Sequence, residues 1–370
     1  MLDSPKRLFI RGLNSFLNYK RVTFFFFFLH FSLFRIFKPS KKVVLFNKLH
    51  PIYSDFFLNF KTSKVTWFYF DPNWRNSLLG KFALKNCHIL HLDHSAFKEE
   101  YLKFGKKTVI ECEGLAKNSL FEDPRVSALL FESKYSGRVQ LNKPKSFLVY
   151  PAVKNYSTFK PSEKNKLFTI ISVGYGSYLK GFDVSFEVFK RLKKEGFKVK
   201  LIIAGTLGHN FEDYPEADRI AYQKSCDIID EMLEYSKTNN DLIIKPFRKH
   251  DMIAKLYPQA DVLLHPCRME TFGFTILEAL SFGIPVVSVK LKAIPEMVKH
   301  GVNGYLINSF NWDGVSPIDE DAMNTPEWFD ITVNESVKFI KQVDGLKRFE
   351  LDPQFTYSNR MKNLESIYFS

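Results

Sequence analysis

Two glutamates eight positions apart, Glu270 and Glu278, bracket the turn Thr271-Phe272-Gly273-Phe274. Just before them, Asp261-Val-Leu-Leu-His-Pro266 reads as a buried strand. Thr275 to Leu280 read as the first turns of a helix, which Gly283 and Pro285 end. The spacing puts Glu270 in the loop after the strand and Glu278 on the helix. Loop N–H groups from Thr271 to Phe274 then lie at a helix N-terminus, where partial positive charge suits a phosphate. One carboxylate on each side of such an anion site suits the hydroxyls of a sugar and of a ribose. Upstream, Gly174-Tyr175-Gly176-Ser-Tyr-Leu-Lys180-Gly181 follows the strand-like run Leu167 to Val173. Its glycines allow close backbone approach, and Lys180 would place an ammonium near a diphosphate. It is not a dinucleotide fingerprint, because the third glycine of G-x-G-x-x-G falls on Leu179. Each feature alone has an ordinary reading, a solvated lysine on a turn or a glutamate at a helix start. Their common register favours a site.

Such residues need a scaffold that brings strand ends together. Strands are expected at Lys42–Phe46, Lys64–Phe70, Cys87–Leu92, Thr108–Cys112 and Ser146–Tyr150, with a helix over Ser127–Tyr135. Lys154 to Lys166, rich in Lys, Ser and Pro, reads as a linker. The pattern then restarts with strands at Leu167–Val173, Lys198–Ala204, Asp241–Phe247 and Asp261–His265. Helices are expected at Phe182–Glu195 and Ala217–Glu234. This alternation predicts the α/β class with parallel sheets covered by helices. Ligands of such sheets sit at the carboxyl ends of strands.

A chain of 370 residues is long enough for two domains, and 45% hydrophobic with 25% charged residues excludes general disorder. Cys87, Cys112, Cys226 and Cys267 form no C-x-x-C pair and no metal-ligand spacing, so they read as reduced core residues of a cytoplasmic protein. The net charge of +13 calls for an anionic partner. Nucleic acid is not expected, because no recognition motif accompanies scattered lysines. Nine basic residues between Lys6 and Lys42 instead flank the apolar run Phe24–Phe34. That run is shorter than the ~20 residues a spanning helix needs, and no small-residue cleavage site follows it. Two readings stand: a core element of the first domain, or an interfacial segment within residues 1–38 resting on anionic lipid at the inner face of a membrane.

Glu270 to Glu278 resembles the E-x7-E motif of family-4 (group 1) retaining glycosyltransferases. The flanking blocks agree: Ala260-Asp-Val-Leu-Leu-His-Pro266, Glu278-Ala-Leu-Ser-Phe-Gly-Ile-Pro-Val-Val287, Ile294-Pro-Glu-Met-Val298 and Gly301-Val-Asn-Gly-Tyr-Leu-Ile307. Ser172-Val-Gly174 and Lys180-Gly-Phe-Asp183 resemble the family's first strand and its phosphate-contacting lysine. The resemblance implies a glycosyltransferase-B fold, two Rossmann-like domains facing across a cleft. Residues 1–160 would bind the acceptor and residues 161–345 a nucleotide-sugar donor, with 346–370 as a helix packing back on the first domain. By the same resemblance Glu270 contacts donor-sugar hydroxyls, Glu278 the ribose, and Phe247 and Arg248 lie in the segment that holds the base. Many members have an arginine where Tyr175 stands; Arg248 or Arg268 are the candidates to replace its charge. His88-Ile-Leu-His91-Leu-Asp93-His94 resembles a strand end whose histidine faces the donor sugar, here His91 or His94. A zinc cluster and an ordinary structural histidine are the rival readings.

The implied activity is transfer of a hexose, with retention, from a nucleoside-diphosphate sugar to a glycan or lipid-linked acceptor in cell-surface polysaccharide or lipopolysaccharide synthesis. No D-x-D motif is present, so no metal or other cofactor is expected. Two other classes remain: a catalytically silent scaffold of the same fold, and a membrane- or nucleic-acid-binding protein whose charge is its function.

Overall fold

The computed structural model describes residues 29, 31–32, 41–47, 56, 62, 64–157, 167–175, 177–206, 216–247, 251–314, 316, 320–346 and 349–370. Two six-stranded parallel sheets organise them. The first contains β1 (Lys42–Phe46), β2 (Val65–Tyr69), β3 (Ile89–Asp93), β4 (Lys107–Cys112), β5 (Val126–Phe131) and β6 (Ser146–Leu148) in the order β2-β1-β3-β4-β5-β6. The second contains β7 (Phe168–Tyr175), β8 (Val199–Thr206), β9 (Leu242–Lys245), β10 (Val262–His265), β11 (Val286–Val289) and β12 (Gly304–Ile307) in the order β12-β11-β10-β7-β8-β9. Helices α1 (Leu78–Asn86) and α2 (Asn118–Glu122) belong to the first half. The second carries α3 (Phe182–Lys194), α4 (Glu216–Ser236), α5 (Phe274–Ser281), α6 (Ile294–Met297) and α7 (Pro326–Ile340), and α8 (Tyr357–Phe369) closes the chain.

Read from its β9 edge, the second sheet has the doubly wound order 3-2-1-4-5-6, and its strand order reverses between β7 and β10. The first sheet reverses between β1 and β3. At such a reversal the loops leaving two adjacent strands diverge to opposite faces and open a crevice. Central parallel strands are covered on both faces and become continuous apolar runs. β10, Val262-Leu-Leu-His265, is buried at every position. α3 meets its sheet through Phe182, Phe186 and Phe189, an i, i+4, i+7 stripe, and ends on Lys193 and Lys194, which suit the helix C-terminus.

The helix expected over Ser127–Tyr135 is instead strand β5, paired with both β4 and β6. A short apolar run fits a buried strand as well as a helix by periodicity, and here the neighbouring strands decide. The phenylalanine-rich run is described only in part. Phe31 is fully buried and packs edge-on against Phe68 at 5.3 Å, so the core reading holds there, while Leu29 is exposed. No helix among the described residues is long and apolar enough to cross a membrane.

α8 returns to the first sheet, held by buried charge. Arg360 is fully buried; its Nη1 donates to Val149 O at 3.2 Å and Tyr150 O at 2.8 Å, and its Nη2 pairs with Glu111. Glu111 Oε1 also meets His91 Nε2 at 2.8 Å, and the other ring nitrogen of His91 bonds the Tyr368 hydroxyl. Burial opposes the Glu111 charge, but Arg360 and His91 together hold its carboxyl below the usual carboxylate range. The folded value is depressed, so this stabilisation is present above the unfolded pKa of about 4.3 and is lost as pH falls through the folded value. Arg360→Ala should cost about 3–5 kcal/mol, because Glu111 is left as an uncompensated buried charge. Denaturation followed by tryptophan fluorescence and circular dichroism checks this. A loss no larger than that of a surface pair, about 1 kcal/mol, would show that the network does not seat α8.

Candidate active site

The reversal between β7 and β10 brings together the two loops singled out in the sequence. The β7 loop leads through Lys180 to Gly181, which caps α3 at φ +71°; a Cβ there would lie 2.0 Å from Pro266 O. Only glycine lets this loop sit on the end of β10. A Cβ on Gly174 would lie 2.5 Å from Lys180 Cγ, so the bare Cα makes room for the lysine stem across the strand end. The ammonium that results is fixed: Lys180 Nζ donates to Glu270 Oε2 at 2.9 Å and to Met269 O at 3.2 Å. An ammonium has three donors, and among the described residues the third has no partner, which leaves it for a ligand oxygen.

Glu270 is held from two sides. His265 Nε2, at the last position of β10, lies 2.9 Å from the carboxylate oxygen that Lys180 also contacts, and Thr271 N donates to Oε1 at 3.1 Å. Burial raises the carboxyl pKa, but the His265 hydrogen bond and the Lys180 charge outweigh it and bring it down to about 2. A carboxylate with that pKa accepts, so His265 carries its proton on Nε2. Its buried Nδ1 has no partner among the described residues.

α5 starts at Gly273, φ +101°, with no side-chain cap and no acid in its first turn. Its first N–H groups therefore keep the positive end of the helix dipole available. Glu278, one turn into α5 and half-buried, accepts from the Tyr257 hydroxyl at 2.8 Å. Phe272 is fully buried and packs against Phe274 and Phe355, so only its backbone is left for a ligand. Phe274 is half-buried, Thr271 is exposed, and the Thr271 N–H is already taken by Glu270. Beyond the end of β9, Phe247 lines a cavity of about 390 Å³ with Lys245, Asp251 and Lys255. Gly176, Arg248 and the side chain of Tyr175 lie outside the described residues.

Two expectations change. His91 cannot face a donor: it is fully buried, and both ring nitrogens are committed to Glu111 and Tyr368. His94, half-buried in the turn after β3, stands at the first sheet's own reversal beside Asp93, whose carboxylate caps that turn. Arg268 cannot supply a spare cation either. Its guanidinium forms a bidentate pair with Asp183 at 2.8 and 2.7 Å and donates to Tyr178 O and Met323 O. His265, Cys267 and Glu270 offer ligand atoms within 4.8 Å of one another. Burial and the Glu270 charge push the Cys267 thiol up to about 12, and the Lys180 ammonium already sits on the carboxylate. Sequence reasoning assigned no role to His265, the contact that orients Glu270. Its place at the strand's last residue was the available signal.

Residues 154–325 match the profile of the family described as Glycosyl transferases group 1. The match covers a little under half of the chain. Over 147 residues the chain is 30% identical to an uncharacterized glycosyltransferase of Methanocaldococcus jannaschii, covering 40% of this chain and 33% of that protein. It is 25% identical over 235 residues to an uncharacterized 41.2 kDa protein in the cps region of Klebsiella pneumoniae, covering 60% and 58%. The chain thus spans a third to three fifths of the length of these relatives. The crystal structure of Anabaena HepE in complex with UDP and glucose superposes with a TM-score of 0.53 at 14% identity, covering 88% of this chain and 99% of that one. At this identity the likeness shows the fold, two Rossmann-like domains of the glycosyltransferase-B type.

Without its ammonium neighbour, Glu270 keeps the His265 and Thr271 N–H bonds against the cost of burial. Lys180→Ala should therefore raise the Glu270 pKa from about 2 towards the ordinary carboxylate range. Carboxyl-carbon NMR titration reads this directly, and an unmoved value would mean that the His265 and Thr271 bonds set it.

Proposed function

We propose that the chain is a family-4 retaining hexosyltransferase, moving a sugar from a nucleoside-diphosphate donor to a glycan or lipid-linked acceptor in surface polysaccharide or lipopolysaccharide synthesis. The observation that carries this reading is the Lys180–Glu270–His265 cluster beside the uncapped N-terminus of α5. It pairs a rigid carboxylate, suited to sugar hydroxyls, with an open ammonium donor and a helix dipole, suited to a diphosphate.

In this reading an acceptor hydroxyl attacks the anomeric carbon on the face from which the diphosphate leaves. The new carbon–oxygen bond forms as the bond to the phosphate oxygen breaks, and the hydroxyl proton passes to that departing oxygen. No protein nucleophile is required. The third N–H of Lys180 and the α5 amides stabilise the charge that develops on the diphosphate, fixed dipoles in place before the reaction. Glu270 accepts from donor-sugar hydroxyls, and Glu278 accepts from the ribose. The segment at Phe247 and Arg248 carries the base, with Gly174, Tyr175 and Gly176 around the phosphates. The cleft histidine is His94 instead of His91. Because Lys180 holds the position beside Glu270 that a cation would take, no metal ion is given a role.

Glu278→Gln should weaken nucleoside-diphosphate affinity by about 10- to 150-fold, the 1.5–3 kcal/mol of one charge-assisted hydrogen bond. Calorimetry on the folded variant checks this, and unchanged affinity would remove Glu278 from the site. EDTA should leave wild-type transfer intact, whereas its abolition by EDTA and recovery with a divalent cation would overturn metal independence. Tight nucleotide binding without transfer or donor hydrolysis would favour the silent-scaffold reading, to which the commitment of Arg268 to Asp183 lends some weight.

A further inference from the structure

A cavity of about 570 Å³ between the two domains has no part in the donor chemistry described above. Lys134, Tyr135 and Arg138 from the segment after β5 line one side; Lys290, Lys292 and Trp312 from the segments after β11 and β12 line the other. The lining acids are Glu296 and Asp313, and both are engaged. Glu296 accepts from Lys134 N at 2.8 Å, Tyr135 N at 3.1 Å and the Tyr150 hydroxyl at 2.8 Å. Asp313 accepts from Ser316 N and Oγ. Among the described residues the ammonium groups of Lys134, Lys290 and Lys292 make no ion pair, although Lys290 and Lys292 are half-buried. Arg138 lies 4.2 Å over the Tyr135 ring and spends one Nη1 donor on Tyr135 O.

Four cations share this partly desolvated space with two carboxylates that hydrogen-bond only uncharged donors, and the excess positive charge favours binding of an anion. The backbone points the same way. Lys292 has φ +45°, and with Lys145 it is one of two described non-glycine residues at positive φ. A lysine there is strained, and strain of this kind collects at ligand sites. Tyr135 and Trp312 meet edge to face at 5.6 Å and give the cavity an aromatic wall.

We infer that this cavity binds the phosphate or diphosphate group of an anionic acceptor, gripped by Lys134 and Arg138 from one domain and by Lys290 and Lys292 from the other. This rests on the transferase reading, in which the acceptor lies between the domains. A site built from both walls ties acceptor binding to the contact that Glu296 makes between them. The phosphate belongs either to a soluble sugar phosphate or to a polyprenyl-diphosphate sugar.

The test is a calorimetric titration of the full chain with inorganic pyrophosphate, first alone and then with the donor site saturated by UDP. Pyrophosphate should still bind the UDP-saturated protein. Lys290→Gln/Lys292→Gln should weaken that binding at least tenfold while UDP affinity stays within twofold. Lys134→Gln/Arg138→Gln should give the same loss from the other wall, which guards against misfolding of either variant. Failure of UDP to bind at all would count against the donor assignment alone, since the titration without UDP still compares the lysine variants with wild type. Competition by glucose 1-phosphate would support a soluble acceptor; competition by neutral vesicles only when they carry a polyprenyl diphosphate would support a lipid-linked one. Equal pyrophosphate binding by wild type and both variants, or none to wild type at millimolar concentration, would overturn the proposal. So would bound pyrophosphate that neither acceptor class displaces, which would mark an adventitious anion site.

Discussion

Much of the second domain is arranged around one contact, the Lys180 ammonium on the Glu270 carboxylate at 2.9 Å. Neither group would hold its place alone. A half-buried lysine stem needs Gly174 beneath it, and the loop that carries it needs Gly181 to close over Pro266. A carboxylate this buried would take up a proton without a cation and a histidine beside it. With both, it stays ionised to about pH 2. The pair joins the loops from β7 and β10 across the point where the strand order reverses, so sheet topology and site chemistry express one constraint. The β7–β10 pairing itself is short, Val262 with Ile170 and Leu263 with Ile171, which lets the two strand ends splay and the crevice open.

The two domains are tied by polar contacts that differ in depth. Arg360, Glu111, His91 and Tyr368 form a buried set that seats α8 against the first sheet. Glu296, at the short helix α6, reaches across to the backbone of Lys134 and Tyr135 and to the Tyr150 hydroxyl near the surface. A buried pair broken at one end leaves an unsolvated charge, whereas a surface carboxylate released from its donors finds water. The first tie is therefore the costlier of the two to break.

What the sequence disclosed, and what it hid, follows from distance along the chain. Lys180, Glu270 and Glu278 were legible because each lies within a few residues of a strand or helix end that periodicity reveals. The second sheet was legible too, since its strands are apolar runs separated by amphipathic helices. His91 and His94 could not be told apart: both belong to one strand end, and which one turns inward depends on Glu111 and on Tyr368, 277 residues away. The Arg360–Glu111 pair joins residues 249 apart, beyond any local pattern. Ser127–Tyr135 was misjudged because its neighbours, not its own spacing, make β5 a strand. Arg268 looked like a spare cation in the sequence, and only the fold brings Asp183 to it.

The central claim is that Lys180 reads the diphosphate of the donor. Its most direct test compares the affinity of a nucleoside diphosphate with that of its parent nucleoside, by calorimetry, in the wild-type chain and in Lys180→Ala. The account predicts that wild type prefers the diphosphate strongly and that the variant loses at least tenfold of this preference, about 1.4 kcal/mol, while the nucleoside binds both proteins equally. The same preference in both proteins would contradict it.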